Sequence, residues 1–177
     1  MRILLLFRHA KSSWTDPKLD DHDRPLNRRG RDAAPAMARY MAAEGLVPDF
    51  VWCSTARRAH ETLDLWSLAT GRTPPVEYRR DLYLAGVATI VSTVRRTDDA
   101  HRMAMLVGHN PGLAHAAQDL LADRDSPEAV EMSLKFPTAA VAVISFPVDR
   151  WAGVTPGTGK LERYLTPRRV SGLADED

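Results

Sequence analysis

The chain contains three short apolar runs that each end in side chains able to bind or attack an anion. In chain order these side chains are Arg8 and His9, then Ser54 followed by Arg57 and Arg58, then His109. Each run has the length and composition of a buried strand, and ligand sites in open α/β sheets lie at the carboxyl ends of the strands. The spacing therefore predicts that two histidines and at least two arginines meet in one crevice.

Such a cluster suits a phosphoryl group. The planar guanidinium fork matches phosphate oxygens, and a neutral imidazole can attack phosphorus and carry the phosphoryl group as a covalent intermediate. Charged groups at the end of a buried strand are costly without a partner. A dianionic ligand would supply that partner, whereas an apolar or cationic ligand would not.

Each residue also has a simpler interpretation. Arg57 and Arg58 would suit a solvated helix face, and His109 would suit a capping role. A metal site is a further alternative, but His9 and His109 have no clear third protein ligand nearby in the sequence. The coincidence of three strand ends favours the phosphoryl interpretation, and we expect no metal.

Predicted strands and helices alternate along the chain. Strands are predicted at 2–7, 49–54, 102–108, 139–146 and 160–165, with a short strand or extended stretch at 76–86. Helices are predicted at 27–44, 55–70, 88–96 and 110–123, with a helical turn at 126–132. The order predicts an α/β fold, with a mainly parallel central sheet flanked by helices on both faces, in one domain over residues 1–177. Pro35 requires helix 27–44 to begin close to Asp32 or to kink. The last seven residues are expected to be frayed.

Composition narrows the class of protein. The 177 residues are 44% hydrophobic and carry a net charge of +1, which gives no reason to expect a nucleic-acid or membrane partner. Cys53 is the only cysteine, so an intrachain disulfide is impossible. The N-terminal apolar run is too short for a signal peptide, and no stretch is long enough to cross a bilayer. We expect a cytoplasmic protein, whose oligomeric state the sequence leaves open.

Three motifs carry a family resemblance. "LLLFRHAKSSW", "CSTARRAHETL" and "LVGHNPGL" resemble the histidine phosphatase superfamily, whose fold is also called phosphoglycerate mutase-like. The short chain, "RHAKSSW" and "DRPLNRRG" resemble its small bacterial branch, the SixA-type phosphohistidine phosphatases. The resemblance extends roughly from Arg2 to Phe146. It implies a phosphatase that needs no metal or cofactor and works through a phosphorylated histidine.

The resemblance also implies roles for individual residues. His9 matches the histidine nucleophile, and Arg8 matches the phosphate-binding arginine that precedes it. Arg58 matches the second arginine, in a Ser-x-x-x-Arg-Ala-x-x-Thr pattern, and His109 matches the histidine that hydrogen-bonds the phosphoryl group. Asn110 follows that second histidine in many relatives and is placed with the phosphate-binding residues.

For other positions the resemblance suggests a role but leaves an alternative open. The residues after the nucleophile help to line the pocket in relatives, so Lys11 and Ser12 are candidate phosphate or substrate contacts, with an exposed loop as the alternative. Ala10 stands where the family usually has glycine, which excludes a backbone conformation that only glycine tolerates. Asp81 lies in the stretch that supplies a general acid in larger relatives. Its alternative role is an ion pair with Arg79 or Arg80.

The acidic loop offers weaker candidates for that acid, namely Asp16, Asp20, Asp21 and Asp23. The resemblance to the SixA-type branch implies a phosphohistidine in a protein as the substrate. The chain is too short for the long connections that cover the pocket in sugar-phosphate mutases, and an open pocket could admit a protein side chain or equally a small phosphate ester. A small phosphate ester is the alternative. A catalytically silent phosphoprotein-binding module is less favoured, since the four motif residues are present. A Rossmann-type nucleotide-binding protein is disfavoured, because the first strand lacks a glycine-rich loop after it.

Overall fold

The computed structural model describes residues 1–173. Its strands are β1 (Arg2–Arg8), β2 (Phe50–Ser54), β3 (Val76–Arg79), β4 (Met103–Gly108), β5 (Val141–Phe146) and β6 (Lys160–Leu165). Its helices are α1 (Arg28–Ala43), α2 (Arg57–Thr70), α3 (Val87–Val94), α4 (Gly112–Leu120), α5 (Pro127–Leu134) and α6 (Pro167–Ser171). In these described residues, no helix is both long and apolar enough to cross a membrane.

The six strands of residues 1–173 form one sheet in the order β3-β2-β4-β1-β5-β6. Strands β1 to β4 run parallel to one another, and β5 is antiparallel to both of its neighbours. Within this sheet Arg8 pairs with Gly108, and Cys53 pairs with Val107. The carboxyl ends of β1, β2 and β4 therefore lie side by side. The predicted α/β class and mainly parallel sheet are confirmed.

Successive side chains of the strands point to opposite faces of the sheet, so the hydrophobic core consists of two layers, one on each face. Leu4 and Leu6 pack on one face of the sheet with residues of α3, α4 and α5. Leu5 and Phe7 pack on the opposite face with residues of α1 and α2. Because successive side chains of a strand point to opposite faces, one continuous apolar run covers both.

Helix α1 begins earlier than the start near Asp32 that is one of the two alternatives predicted from Pro35. Its first residue is Arg28, and Asn27 caps it by accepting a hydrogen bond from the Gly30 amide at 2.9 Å. The helix continues through Pro35, so a start close to Asp32 is wrong. Capping and burial of the apolar face outweigh the single backbone hydrogen bond that proline forgoes.

Two further predictions needed adjustment. The stretch 76–86 is a strand only to Arg79, after which a short 3₁₀ turn covers Arg80–Leu82. At the C-terminal end, α6 extends to Ser171 and Gly172 caps it in the left-handed conformation. Residues 174–177 of the stretch expected to be frayed lie outside the described part of the chain.

Candidate active site

The backbone of His9 is held at the carboxyl edge of the sheet. Its amide donates to the Gly108 carbonyl at 3.0 Å, and its own carbonyl accepts from the Ala139 amide at 3.1 Å. Next to it, the guanidinium of Arg8 donates to the Phe136 carbonyl at 2.7 Å. The apolar run that precedes these residues therefore delivers both side chains from a fixed strand end.

Hydrogen bonding selects one tautomer of His9. Nδ1 lies 2.7 Å from the Ala10 carbonyl oxygen, and because a carbonyl only accepts, Nδ1 must carry the proton. In the neutral ring the lone pair is then on Nε2, where the Nε–H of Arg58 donates at 3.2 Å. Burial holds the pKa of His9 well below its usual value, and the neighbouring His109, Arg58 and Arg8 lower it further, against the effect of the Ala10 hydrogen bond.

Arg58 reaches the cluster from the first turn of α2. Its guanidinium donates to the backbone carbonyl of Asp21 at 2.5 Å and to the Asp21 carboxylate at 3.0 Å. Thr62, one turn later, donates to the Arg58 carbonyl at 2.6 Å and accepts from the Ala10 amide at 2.9 Å. This threonine thus connects the helix to the residue after His9. Arg57, by contrast, is exposed and pairs with Glu61.

His109 stands beside His9, with ring centroids 5.0 Å apart. Its Nε2 and the hydroxyl of Ser54, at the end of β2, are 2.7 Å apart. Burial first, and then the charge of Arg58, lower the pKa of His109 to about 3. Its Nδ1 is buried and has no hydrogen-bond partner among residues 1–173. Both histidines are consequently neutral at ordinary pH.

These groups line one cavity of about 300 Å³. The lining residues are Arg8, His9, Lys11, Ser12, Trp14, Asp21, Arg24, Arg58, Leu84, His109, Asn110 and Thr138. Of the eight residues given site roles by the resemblance, the structure brings seven together here and leaves out Asp81, and of the weaker acid candidates in the acidic loop only Asp21 lines the cavity. A larger concavity of about 550 Å³ lies between α5 and α6, but its lining includes no histidine in the part of the chain described.

The side chains of Asn110 and Arg8 donate hydrogen bonds to the same backbone carbonyl, that of Phe136. The side-chain amide of Asn110 donates to the Phe136 carbonyl at 2.9 Å, the same oxygen that accepts from Arg8. Lys11 and Ser12 sit at the other side of the cavity, where Ser12 forms a bridge with Leu26. The segment after β1 therefore lines the cavity rather than forming a wholly exposed loop.

Asp81 lies outside the cavity, on an exposed turn. Its carboxylate accepts two hydrogen bonds from Arg79, at 2.9 and 2.6 Å. The Arg79 hydrogen bonds hold the pKa of Asp81 below its ordinary value. This is the ion pair named as the alternative to an acid role.

Asp21 is the acidic residue that the fold brings to the cavity. It accepts from Arg58, from Arg24 at 3.0 Å and from the Tyr83 hydroxyl at 2.5 Å. Although partial burial acts in the opposite direction, the Tyr83 hydrogen bond and the charge of Arg58 lower the pKa of Asp21 to about 2. The sequence did not single it out, because acidic neighbours surround it and only the folded loop distinguishes them.

Sequence reasoning assigned no site role to several other lining residues. These are Trp14, Arg24, Leu84 and Thr138. Trp14 and Arg24 do lie in the motifs "RHAKSSW" and "DRPLNRRG", which is the one signal that the sequence offers for them. Thr138 and Leu84 belong to connections whose course depends on how distant elements pack.

Ala10 fits its position without strain. Among the described non-glycine residues only Leu84 and Ala139 have a positive φ, so Ala10 does not require the conformational freedom of glycine. It is fully buried, and its amide bonds Thr62. As for metals, residues 1–173 contain no group of three or more His, Cys, Asp or Glu side chains placed to hold an ion.

Known proteins resemble this chain in sequence and in fold. The profile of the histidine phosphatase superfamily (branch 1) matches residues 4–83. An uncharacterized protein of Mycobacterium tuberculosis is 36% identical over 163 residues, which are 91% of this chain and 99% of that protein. A solved structure from Nakamurella multipartitia, described as a putative phosphohistidine phosphatase SixA, is 30% identical, with 94% of this chain and 96% of that chain covered and a TM-score of 0.82.

A second solved structure supports the fold. The protein histidine phosphatase SixA in complex with tungstate is 18% identical and has a TM-score of 0.78, with 96% of this chain and 99% of that chain covered. The cavity residues and these similarities lead to one assignment. The chain belongs to the histidine phosphatase superfamily, in its SixA-type branch.

Proposed function

We propose that this chain is a phosphatase that removes the phosphoryl group from phosphohistidine in a protein, through a covalent intermediate on His9. The observation that carries the proposal is the tautomer of His9. Its Nδ1 proton is held by the Ala10 carbonyl at 2.7 Å, which leaves the Nε2 lone pair beside Arg58 and inside the cavity. Membership of the SixA-type branch supports the same assignment.

In the first step, the Nε2 lone pair of His9 attacks phosphorus. A new P–N bond forms as the bond between phosphorus and the leaving group breaks, and the electron pair of that bond departs with the leaving group. The His9 ring then carries a positive charge, which the Ala10 carbonyl stabilises. Arg8, Arg58 and His109 surround the phosphoryl oxygens with donors that are already in position, which is the main source of catalysis in phosphoryl transfer.

In the second step, water attacks the phosphorus of the phosphorylated His9. The P–N bond breaks, its electron pair returns to Nε2, and the oxygen and both protons of the water leave with the phosphoryl group as dihydrogen phosphate. The neutral ring is thereby regenerated with its proton still on Nδ1.

The acid–base character of the cavity favours an imidazole leaving group. Among the described lining residues Asp21 is the only carboxylic acid, and with a pKa of about 2 it is ionised at neutral pH. Asp81 is engaged by Arg79 outside the cavity. A departing alkoxide needs a proton donor, whereas the imidazole of phosphohistidine is a better leaving group and needs less such help.

A small phosphate ester is the second candidate substrate. The cavity of about 300 Å³ is large enough to admit one, and the same phosphoryl transfer to His9 would apply. A catalytically silent phosphate-binding module remains the third and weakest candidate. It gives no reason for the particular His9 tautomer that leaves Nε2 nucleophilic.

A substrate panel tests the proposal. Phosphate release from a histidine-containing phosphotransfer domain phosphorylated on histidine is compared with release from sugar phosphates and from an aryl phosphate. We expect the phosphorylated domain to give the highest kcat/KM, and His9→Ala to abolish turnover of every substrate. His115→Ala, which changes an exposed histidine of α4 outside the cavity, is the matched control and should retain activity.

The intermediate is tested separately by trapping. Rapid acid-free denaturation during turnover of a ³²P-labelled substrate should leave acid-labile label on His9. Preferred turnover of a sugar phosphate would favour the second candidate. Near-normal hydrolysis of an aryl phosphate by His9→Ala would exclude His9 as the nucleophile.

A further inference from the structure

Two large apolar side chains stand exposed at the mouth of the cavity. Trp14 is 72% exposed and Leu84 is 54% exposed, yet both line the cavity that contains His9. The phosphate-directed groups are at its buried end, where Arg58 and His109 are each 2% exposed. Apolar groups exposed around a functional cavity mark surfaces that contact a partner.

Trp14 is held in place without being buried. The guanidinium of Arg24 lies over its ring, 3.3 Å from the centroid. Arg24 is itself 6% exposed and donates to the Asp21 carboxylate at 3.0 Å and to the Ser13 carbonyl at 3.2 Å. The ring is thus pre-organised to make a contact, which reduces the entropy lost when a partner binds.

Leu84 occupies a backbone conformation that is unfavourable for a residue with a β-carbon. Its φ is 49°, in the left-handed region. Packing holds the turn there, because α4 approaches so closely that a Cβ on Gly112 would lie 1.8 Å from the Ala85 carbonyl oxygen. Strain of this kind tends to be retained at functional sites. Here it keeps an exposed leucine at the rim of the cavity.

The charge of the cavity lining indicates the chemical character of the partner's surface. The cavity lining includes four basic side chains, Arg8, Lys11, Arg24 and Arg58, against a single acidic side chain among the described lining residues, Asp21, which is paired with Arg58 and Arg24. Basic side chains next to an exposed tryptophan and leucine complement a surface that carries acidic and apolar groups together. A folded protein surface has this composition, whereas a small polar ester has no apolar group to offer.

We propose that Trp14 and Leu84 dock the protein that carries the phosphohistidine and so determine specificity for a protein over a small phosphate ester. This inference rests on the proposed function, since it assumes that His9 accepts the phosphoryl group. A small ester fills the phosphate-directed end of the cavity without needing the rim. A protein must cover the rim in order to deliver its phosphohistidine.

Kinetics with two substrates separate docking from catalysis. For Trp14→Ala and Leu84→Ala we expect kcat/KM on the phosphorylated phosphotransfer domain to fall by roughly tenfold or more, mainly through KM, as for central interface residues. Hydrolysis of a sugar phosphate, which has no apolar group to contact the rim, should stay within about twofold of wild type. Leu68→Ala is the matched control, because Leu68 is 82% exposed on α2 and lies outside the cavity.

Equal losses on both substrates, or no loss on either, would overturn the docking role. A wild-type enzyme that hydrolyses the sugar phosphate but not the phosphorylated domain would instead defeat the protein-phosphohistidine assignment. A wild-type enzyme that hydrolyses both, with rim variants that behave like Leu68→Ala, would defeat the docking role alone. The two failures are therefore distinguishable.

Tryptophan fluorescence gives an independent readout. The chain has four tryptophans, and Trp52, Trp66 and Trp151 are at most 3% exposed, so quenching by acrylamide reports on Trp14. With the His9→Ala variant, a tryptophan-free phosphorylated domain should protect Trp14 from acrylamide, and inorganic phosphate should not. Unchanged quenching at a domain concentration that saturates binding would contradict the proposal.

Discussion

Burial and neighbouring cations act together on the two histidines of the cavity. His9 and His109 are 7% and 2% exposed, and in both the pKa is lowered, to about 3 for His109. A neutral His9 is the form able to attack phosphorus. The cluster of arginines that binds the phosphoryl group therefore also keeps the proposed nucleophile in its reactive state.

This protonation state predicts a pH profile. Because the pKa of His9 is held well below 6.5, kcat/KM should not fall as the pH is lowered through 6.5, and the acid limb of the enzyme should lie at lower pH. The measurement is kcat/KM for an aryl phosphate between pH 8 and pH 4.5, corrected for ionisation of the substrate. An acid limb at or above pH 6.5 that belongs to the enzyme would contradict a neutral, buried His9.

Asp21 is predicted to be a positioning residue for Arg58. The Asp21→Asn variant keeps an oxygen acceptor but loses the charge that holds Arg58 and Arg24, so kcat should fall by roughly 10- to 100-fold, as expected for a misplaced catalytic group. The KM should change far less. Asp20→Asn is the matched control, because Asp20 precedes Asp21 in the sequence but has an exposed side chain that lies outside the cavity.

Steady-state kinetics and thermal unfolding are measured for both aspartate variants. If Asp21→Asn lost activity only in proportion to lost folded protein, the role would be structural. If it retained wild-type kcat, Arg58 would not depend on Asp21.

At the scale of elements, the position of α1 determines the path of the chain beyond His9. A Cβ on Gly30 would lie 2.2 Å from the Lys11 carbonyl oxygen, so the first turn of the helix rests directly on that backbone. The Asn27 amide also donates to the Lys11 carbonyl, at 3.0 Å. Helix α1 thus supports the cavity wall from behind.

Gly30→Ala should therefore damage both stability and activity. We expect a loss of about 1–3 kcal/mol in the free energy of unfolding, typical of overpacking, because the added methyl group must displace backbone. Activity on an aryl phosphate should fall as the Lys11 segment moves. Gly86→Ala is the control, since its added methyl group meets no atom of the described structure within 4 Å, and it should change stability by at most about 0.5 kcal/mol.

Urea unfolding and the aryl phosphate assay check this pair of glycine variants. Equal behaviour of the two would show that α1 does not need its close approach to Lys11. A stable but inactive Gly30→Ala would show that the contact serves the cavity alone.

For the whole molecule, the buried histidines predict a loss of stability in acid. The folded state keeps His9 and His109 neutral, whereas the unfolded chain protonates them near pH 6.5. Their contribution to stability is thus fully present above pH 6.5 and decreases as the pH falls towards the folded pKa values. The free energy of unfolding should fall by up to about 1.4 kcal/mol per pH unit for each histidine.

Urea unfolding at pH 7.5, 6.0 and 5.0 measures this dependence. His109→Gln should reduce the slope below pH 6.5, and His115→Gln, at an exposed position on α4, should leave it unchanged. Asp21 acts at lower pH, because its lowered pKa stabilises the fold above about pH 4 and that stabilisation disappears towards pH 2. A slope that does not respond to His109→Gln would place the acid sensitivity elsewhere.

The sequence by itself determined the elements and the residue types at the strand ends. Apolar runs that stop at Arg8–His9, Ser54 and Gly108–His109 are local features, and parallel strands carry their carboxyl ends to one edge of the sheet. The prediction of one cavity around two histidines and Arg58 followed from this rule. The family motifs then supplied the roles that composition and periodicity could not.

Only the tertiary structure decided which groups surround that cavity. Asp21 rather than Asp81 reaches it, the Nδ1 proton of His9 meets the Ala10 carbonyl, and Trp14 and Leu84 border the mouth. Asp21 reaches the cavity through its contact with Arg58, and the Ala10 backbone that accepts from its neighbour His9 is itself held by Thr62, so both features depend on residues far apart in sequence. Local propensity contains no information on such packing, because the path of a connection is set by the elements on which it lies.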